Sequence, residues 1–98
     1  MRAYSKAPLL FRATPRPGLI VPDQKTFFVR LGRRVCELRK KQGHSQDDMS
    51  LHGFSPRHWQ QIEAGRPITV STLLRICAVF EISIERLVRG LDEDIYEV

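Results

Sequence analysis

Apolar side chains recur every three or four residues through most of this chain, which is the spacing of amphipathic helices. The pattern predicts a first helix over residues 25–41, with an apolar face formed by Phe28, Leu31, Val35 and Leu38. A fourth helix, begun by Thr69 or Ser71, carries the apolar stripe Leu73, Ile76, Cys77 and Phe80. A fifth helix begins at Ser83 and carries Ile84, Leu87, Val88 and Leu91.

Between the first and fourth helices the chain has two helix starts, each marked by a serine. Ser45 and Asp48 have the spacing of a capping box, in which the serine oxygen accepts hydrogen bonds from early backbone N–H groups. Ser55 repeats the pattern, and Pro56 follows at the first helical position, where its missing N–H costs nothing. Two short helices joined through Gly53 form a helix-turn-helix, the unit that lays its second helix in the DNA major groove.

The second of these short helices is expected to have one buried face and one outward face. We predict a helix over about residues 45–51 with Met49 in the core, and another over about residues 56–64 in which Trp59 and Ile62 face inward. The latter also carries three side chains that can hydrogen-bond to base edges: Arg57, Gln60 and Gln61. With these two segments, the expected fold is an all-α bundle of five helices.

Residues 1–24 contain four of the six prolines and show no helical period. Short apolar runs at residues 9–11 and 19–21 flank a Pro-Arg-Pro-Gly segment, which indicates a loose hairpin or an extended N-terminal arm. A disordered leader is the alternative, since proline-rich segments often stay unfolded. As an ordered arm, this segment would pack on a partner subunit or contact DNA through Arg12 and Arg16.

The net charge of +5 on the 98 residues is unevenly distributed. Residues 1–24 carry four bases and one acid, residues 25–66 nine bases and four acids, and residues 67–98 three bases and six acids. The basic excess therefore coincides with the predicted helix-turn-helix, which favours a polyanionic partner such as DNA. The length suffices for one compact domain.

No apolar run approaches the roughly 18 residues that a membrane span needs, and the N-terminal segment lacks the apolar region of a secretory signal. Cys36 and Cys77 form no CxxC motif and fall in predicted helices. We interpret both as reduced thiols of a cytoplasmic protein, with a disulfide as the alternative. Cys77 is expected to fill a core site, whereas Cys36 lies off the apolar stripe and is expected to be partly exposed.

Five sequence runs occur in an order known from one family. They are LGRRVCELR at residues 31–39, SQDDMS at 45–50, GFS at 53–55, WQQIEAG at 59–65 and STLLRIC at 71–77. This order resembles the Cro/XRE-like family of helix-turn-helix DNA-binding domains, the phage lambda-repressor type. The resemblance covers about residues 27–91 and implies a lambda-repressor-like bundle for a DNA-binding domain at residues 25–91.

The resemblance implies DNA contacts for seven residues: Gln46, Ser55, Arg57, His58, Gln60, Gln61 and Arg66. Gln46 matches a glutamine that contacts phosphate and steadies the reading helix. Arg57 and Gln61 match positions that commonly face bases, with Gln60 and His58 beside them. Ser55 and Arg66 match positions that often touch the DNA backbone.

Other positions depart from the family pattern or take structural roles in it. The link before the reading helix is one residue shorter than usual, which is expected to truncate the preceding helix and tilt the turn. Pro56 occupies a position that often carries a base-reading polar residue, so Arg57 and Gln61 would carry more of the readout. By the same resemblance, Glu63 orders the bundle and Trp59 belongs to the core.

The expected function is that of a sequence-specific, double-stranded DNA-binding transcriptional regulator, a repressor that acts as a homodimer. A dimer is expected because one small domain buries too little surface to select a genomic site. Its candidate contacts are the fifth helix and the apolar residues around the acidic tail at residues 92–98: Leu91, Ile95, Tyr96 and Val98. Closure of the monomer core is an equal alternative for Leu87 and a less favoured one for Ile95.

The main alternative function is that of an antitoxin, which would bind DNA through the same domain and a toxin protein through the N-terminal arm. An enzyme is not expected, since the chain has no recognisable Ser/His/Asp arrangement, no phosphate-binding glycine loop and no paired carboxylates. No cofactor is implied. His44, His52 and His58 are spaced eight and six residues apart, unlike a metal site. Among the bases of the first helix, Arg39 is expected at the surface, contacting phosphate.

Overall fold

The computed structural model describes residues 21–96, and every regular element in that range is helical. Helix α1 spans Gln24–Lys41, a 3-10 helix spans Asp47–His52, and helices α2, α3 and α4 span Pro56–Glu63, Val70–Phe80 and Ile84–Val88. The prediction of an all-α fold with five helical segments is confirmed for these residues. Residues 1–20, which include most of the predicted N-terminal arm with Arg12 and Arg16, lie outside the described part, as does Val98.

Helix α1 forms where the periodicity places it. Its first turn is capped by Asp23, whose carboxylate accepts hydrogen bonds from the backbone N–H of Thr26 at 3.1 Å and from the Thr26 hydroxyl at 2.6 Å. Three cations occupy its last turn, where they complement the helix dipole: Arg39, Lys40 and Lys41. Gly43 follows with a φ of 78°, the left-handed conformation in which a helix ends most easily at glycine.

The second predicted helix is a 3-10 helix and not an α-helix. The capping box is present, since the Ser45 hydroxyl accepts from the Asp48 N–H at 3.1 Å and the Asp48 carboxylate accepts from the Ser45 N–H at 2.7 Å. The regular winding nevertheless begins only at Asp47 and stops before Gly53, which has a φ of 86°. A 3-10 helix rises about 2.0 Å per residue against about 1.5 Å for an α-helix. Because a 3-10 helix rises further per residue, a given number of residues in this segment spans a longer distance toward the turn.

The remaining helices begin at the capping residues expected of them. The hydroxyls of Ser55, Thr69 and Ser83 each accept a hydrogen bond, at 3.0–3.1 Å, from the backbone N–H three residues further on. Thr69, and not Ser71, is thus the cap of α3. Helix α4 ends at Val88, earlier than the apolar pattern suggested, and turns continue the chain to residue 96.

The core forms around Trp59, which is fully buried. Its ring contacts those of Phe54 and Phe80, with centroids 4.9 and 6.1 Å away. The other buried apolar residues of this core are Leu31, Val35, Met49, Ile62, Ile76, Cys77, Leu87 and Leu91. All except Phe54 were expected in apolar stripes or as core residues. Phe54 lies in the turn after Gly53, where no helical period could reveal it.

Helices α1 and α2 approach each other closely at Gly32. A Cβ atom at this position would lie 2.6 Å from the carbonyl oxygens of both Ile62 and Glu63. Since these are backbone atoms, no side-chain movement could relieve the overlap. Glycine at position 32 is therefore what allows the end of α2 to pack directly on the backbone of α1.

The segment after α4 closes the core of this single chain. Leu91 and Ile95 are 4% and 6% exposed, so the alternative of core closure holds for both, including Ile95, for which it was less favoured. Tyr96 is about half exposed. The N–H of Asp23 donates to the carbonyl of Ile95 at 2.7 Å, which joins the start of α1 to the end of the described chain.

Two arginines of α1 hold this C-terminal segment. Arg30 and Arg34 are four residues apart, and each uses its Nη1 atom to bind two carbonyl oxygens. The distances are 2.7–3.0 Å, with Arg30 bound to Leu91 and Glu93, and Arg34 to Leu87 and Arg89. Leu87 lies in the last turn of α4 and the other three residues lie in the turns that follow, so their carbonyls have no intrahelical N–H partner. Both cations are thus engaged within the fold.

Within residues 21–96, no helix combines the length and the apolar character that crossing a membrane requires.

Candidate nucleic-acid interface

Helix α2 has two chemically distinct faces. Trp59 and Ile62 are 0% and 1% exposed, and they lie on the side that packs against the core. Successive residues of an α-helix are rotated by about 100°, so positions 57, 60, 61 and 64 lie together on the opposite side. Arg57 and Gln60 are exposed and Gln61 is half-buried there. The helix therefore presents one guanidinium and two carboxamides on the side opposite its buried face.

The start of α2 is determined by Ser55 and Pro56. Because the Ser55 hydroxyl accepts from the N–H of His58, it stabilises the first turn, and its exposed position leaves it accessible from outside. His58 lies at the edge of the outward face, half-buried, with its ring centroid 5.7 Å from that of Phe54. Arg66 is exposed just after the left-handed Gly65 that ends the α2 region.

The carboxylate of Glu63 joins three parts of the fold. It accepts hydrogen bonds from the Arg39 Nε at 2.6 Å and Nη2 at 3.1 Å, from the Gln46 carboxamide at 2.9 Å and from the Trp59 indole N–H at 2.6 Å. Helix α1, the start of the 3-10 region and α2 thus meet at one side chain that is only 7% exposed. The expectation that Glu63 orders the bundle is confirmed.

The expectation that Arg39 lies at the surface is wrong. This side chain is 9% exposed, and besides Glu63 it binds the carbonyl of His44 at 2.8 Å and approaches the Cys36 sulfur at 3.6 Å. A buried guanidinium needs a paired charge and several acceptors, and Glu63 and His44 supply them. Arg39 is therefore not available to DNA phosphates.

The electrostatics of this cluster favour the ion pair. Burial opposes ionisation of Glu63, but the hydrogen bonds from Arg39, Gln46 and Trp59 outweigh it, and the pKa of the carboxyl lies below its ordinary value. The hydrogen bond to Glu63 raises the pKa of Arg39 above its ordinary value. Both groups are thus held in their charged forms.

The expectation that Gln46 steadies α2 agrees with its contact in the fold. One N–H of its carboxamide is donated to Glu63, so the residue is tied to the end of α2. A carboxamide has a second N–H and a carbonyl oxygen, and Gln46 is half-buried, so part of it reaches the surface. Its contact with phosphate stays a prediction, as do the DNA contacts of the other six residues.

The turn before α2 is held by a residue that sequence reasoning missed. Arg75 of α3 places its guanidinium carbon 4.2 Å from the centroid of the Phe54 ring and donates from Nη2 to the carbonyl of Gly53 at 2.9 Å. The only sequence signal was a cation on the outer side of α3, which is more often a solvated charge. Arg75 fixes the turn to α3 at a point where the chain has little secondary structure.

The exposed cations of the basic region are fewer than the charge count suggests. Of the nine bases in residues 25–66, three are bound within the fold: Arg30, Arg34 and Arg39. The exposed ones are Lys25, Arg33, Lys40, Lys41, Arg57 and Arg66. Two of them lie at the end of α1 and two on or just after α2, so positive charge is available on both sides of the 3-10 region.

Other candidate chemistry is sparse in the described part of the chain. Cys36 is half-buried and Cys77 buried, as expected, and burial raises the pKa of the Cys77 thiol. The rings of His44 and His52 meet edge to face with centroids 5.9 Å apart. No group of three histidine, cysteine or carboxylate side chains within residues 21–96 is arranged to hold a metal ion.

No protein-family model matches this chain, and no curated protein matches it.

Proposed function

We propose that this protein binds double-stranded DNA in a sequence-specific manner and acts as a transcriptional regulator, with α2 as the reading helix. The observation that carries the proposal is the two-faced α2. Its buried Trp59 and Ile62 anchor it, while Arg57, Gln60 and Gln61 lie on the opposite side. Such a helix, preceded by a capped turn and a second short helix, has the form of a helix-turn-helix.

The outward side chains suit base recognition. An arginine pairs with the O6 and N7 acceptors of guanine, and a glutamine pairs with the N6 and N7 atoms of adenine. Arg57 is assigned the first role, and Gln60 or Gln61 the second. Pro56 precedes them without a side-chain donor, so the readout depends on few residues.

The phosphate contacts are assigned to the exposed cations beside this helix. Arg66 lies three residues after the end of α2, and Lys40 and Lys41 end α1 a few residues before the 3-10 helix. Cations of this kind set the register on the duplex and supply most of the salt-dependent affinity. Gln46 and Ser55 complete the backbone contacts that the family resemblance implies.

The functional unit is proposed to be a homodimer that acts as a repressor. One domain of this size offers a small reading surface, and two copies on adjacent half-sites would double it. Because Leu91 and Ile95 are buried within one chain, the contact between copies must use other side chains. Exposed apolar residues on α3 and α4, such as Val70, Leu74 and Ile84, are available for it.

The direct test is selection of bound duplexes from a random pool, at a stated salt concentration. We expect enrichment of two related half-sites with centres about 10 base pairs apart, and an affinity that falls steeply as salt rises. The variant carrying both Arg57→Ala and Gln61→Ala should enrich no such sequence. Arg86→Gln removes an exposed charge from α4 and serves as the control. If the wild-type chain enriches nothing and binds no duplex, the proposal is wrong.

The antitoxin alternative depends on the N-terminal arm. Most of that arm lies outside residues 21–96, and nothing among the described residues favours a toxin partner. The alternative stays a hypothesis, to be tested by measuring whether residues 1–20 become protected from proteolysis when the product of a neighbouring gene is co-expressed.

A further inference from the structure

The contact between Arg75 and the Gly53–Phe54 turn combines two interactions in one guanidinium. Its central carbon lies over the Phe54 ring, 4.2 Å from the centroid, and its Nη2 donates to the Gly53 carbonyl at 2.9 Å. Arginine can make both contacts at once because its guanidinium is planar and carries several N–H groups in fixed directions. Lysine offers only a point charge on a flexible stem. The residue type therefore matches the geometry of the turn.

The turn is held both by its own backbone and by this external partner. Its two amide groups bond back into the 3-10 region, from Gly53 to Ser50 at 3.0 Å and from Phe54 to Met49 at 3.2 Å. The Gly53 carbonyl instead accepts from Arg75, which lies 22 residues further along the chain. Gly53 is in the left-handed conformation, so the chain reverses sharply here. Arg75 thus fixes the point from which α2 departs.

Phe54 connects the turn to α2 through side-chain contacts. Its side chain is 1% exposed and its ring contacts those of Trp59 and His58, both in the first half of α2. The far end of α2 is held independently, by the close approach at Gly32 and by the Arg39–Glu63 pair. The helix is therefore fixed at two ends by different elements, with α1 holding its end and α3 holding its start.

We propose that Arg75 is a positioning residue for DNA reading: through Phe54 it fixes the direction of the first turn of α2, and so of Arg57, without itself contacting DNA. This proposal rests on the proposed function. A small rotation of α2 about its far end would move the Arg57 guanidinium away from the geometry that a two-point pair with guanine requires. Contacts of the exposed cations with phosphate tolerate such a movement better, since they depend less on direction.

The test compares four variants on two duplexes. Arg75→Lys keeps the charge, Arg75→Gln keeps an N–H donor, and Arg75→Met keeps apolar packing on Phe54, while Arg86→Gln controls for loss of a surface charge. Affinity is measured for the duplex selected by the wild-type chain and for a scrambled duplex of the same composition, over a range of salt. Discrimination is the ratio of the two dissociation constants.

We expect all three Arg75 variants to lose discrimination by about three- to tenfold, a range set by one surface cation–π contact and one hydrogen bond. For Arg75→Gln and Arg75→Met, which lose a charge, the affinity for the scrambled duplex and the salt dependence should equal those of Arg86→Gln. For Arg75→Lys, which keeps the charge, both should equal those of the wild type. Two outcomes would overturn the proposal. Equal weakening on both duplexes with a shallower salt slope would make Arg75 a phosphate contact, and a lower melting temperature with unchanged discrimination would make it structural only.

A second measurement does not need DNA. Hydrogen exchange of the Phe54, His58 and Trp59 amides reports on the turn and the first turn of α2, since each donates to a nearby acceptor at 3.0–3.2 Å. In Arg75→Met these amides should exchange faster, while those in the middle of α1 stay unchanged. If the wild-type chain binds no duplex, the proposed function fails, and this measurement still decides whether Arg75 positions the helix. Unchanged exchange would reject the inference.

Discussion

The Arg39 Nε atom lies 2.6 Å from the Glu63 Oε2 atom, in a contact from which solvent is nearly excluded. The two residues are 24 positions apart, on α1 and at the end of α2. Because the same carboxylate also binds Gln46 and Trp59, the ion pair fixes the proposed reading helix to two other segments at once. Its energetic role can be measured separately from any DNA contact.

Replacing Glu63 by glutamine should destabilise the fold strongly. The substitution leaves the Arg39 guanidinium buried without a counter-charge, a change that typically costs about 3–5 kcal/mol. The free energy of unfolding, measured at pH 7 by urea denaturation, should fall accordingly. Glu85→Gln is the matched control, since its ion pair with Arg89 is exposed at the surface and should contribute at most about 1 kcal/mol.

The same variant should reveal the pH dependence of the pair. The pKa of Glu63 in the fold lies below its ordinary value of 4.5, so the ionised form stabilises the fold at any pH above 4.5. This stabilisation is lost as the pH falls through the folded pKa. The difference between wild type and Glu63→Gln should therefore be constant from pH 7 to about 5 and shrink below 4.5. A difference that stays constant into acid would contradict the assigned role of the charge.

Replacing Gly32 by alanine should also destabilise the fold. In an open helix this change stabilises by about 1 kcal/mol, because alanine is the better helix former. At position 32 the new Cβ would meet two carbonyl oxygens of α2 at 2.6 Å, so we expect instead a loss of about 1–3 kcal/mol. The melting temperature shows whether Gly32→Ala stabilises or destabilises the fold. A higher melting temperature would mean that α1 and α2 pack less closely than described.

Ile95 should contribute to the stability of the isolated chain. It is 6% exposed, and truncating such a side chain to alanine typically costs about 2–5 kcal/mol. Leu51→Ala is the control, because Leu51 is 78% exposed and surface truncations usually cost less than about 1 kcal/mol. Unfolding should be measured at several protein concentrations. A loss on Ile95→Ala that depends on concentration would contradict the assignment of this side chain to the core of a single chain.

Arg57 and Arg66 should differ in what they contribute to DNA binding. Arg57→Ala is expected to cost about 1–3 kcal/mol of discrimination at one base position, whereas Arg66→Gln should weaken binding to all sequences alike and reduce the salt slope by about one. Fluorescence anisotropy with the selected duplex and its single-base variants separates the two effects. Uniform weakening by Arg57→Ala would show that the residue contacts phosphate and not a base.

Local patterns were sufficient to predict most of the helical structure in residues 21–96. The bounds of α1, the serine caps of α2 and α4, and the buried faces of Trp59 and Ile62 all follow from spacing and capping chemistry. These signals extend over a few residues, and the atoms that satisfy them lie close in the chain. The outward side of α2 followed from the same reasoning, since burying one face of a helix exposes the other.

The sequence could not predict what depends on distant partners. In the sequence Arg39 is one of seven bases on α1, and only the position of Glu63, 24 residues away, makes it a buried residue. Phe54 and Arg75 meet across the fold, and neither lies in a stripe that indicates the contact. The capping box at Ser45 likewise gave no sign that the segment after Gln46 winds as a 3-10 helix.

The hydrogen bond from Asp23 to Ile95 brings the beginning and the end of the described domain together. Chains whose ends meet in this way can often be circularly permuted. A short linker from residue 96 to residue 21, with new ends opened in the exposed loop at Gly43, would place α1 last in the sequence. Such a permutant would keep every helix intact, and it would move the chain ends next to the 3-10 helix, where a reporter or an effector module could be attached.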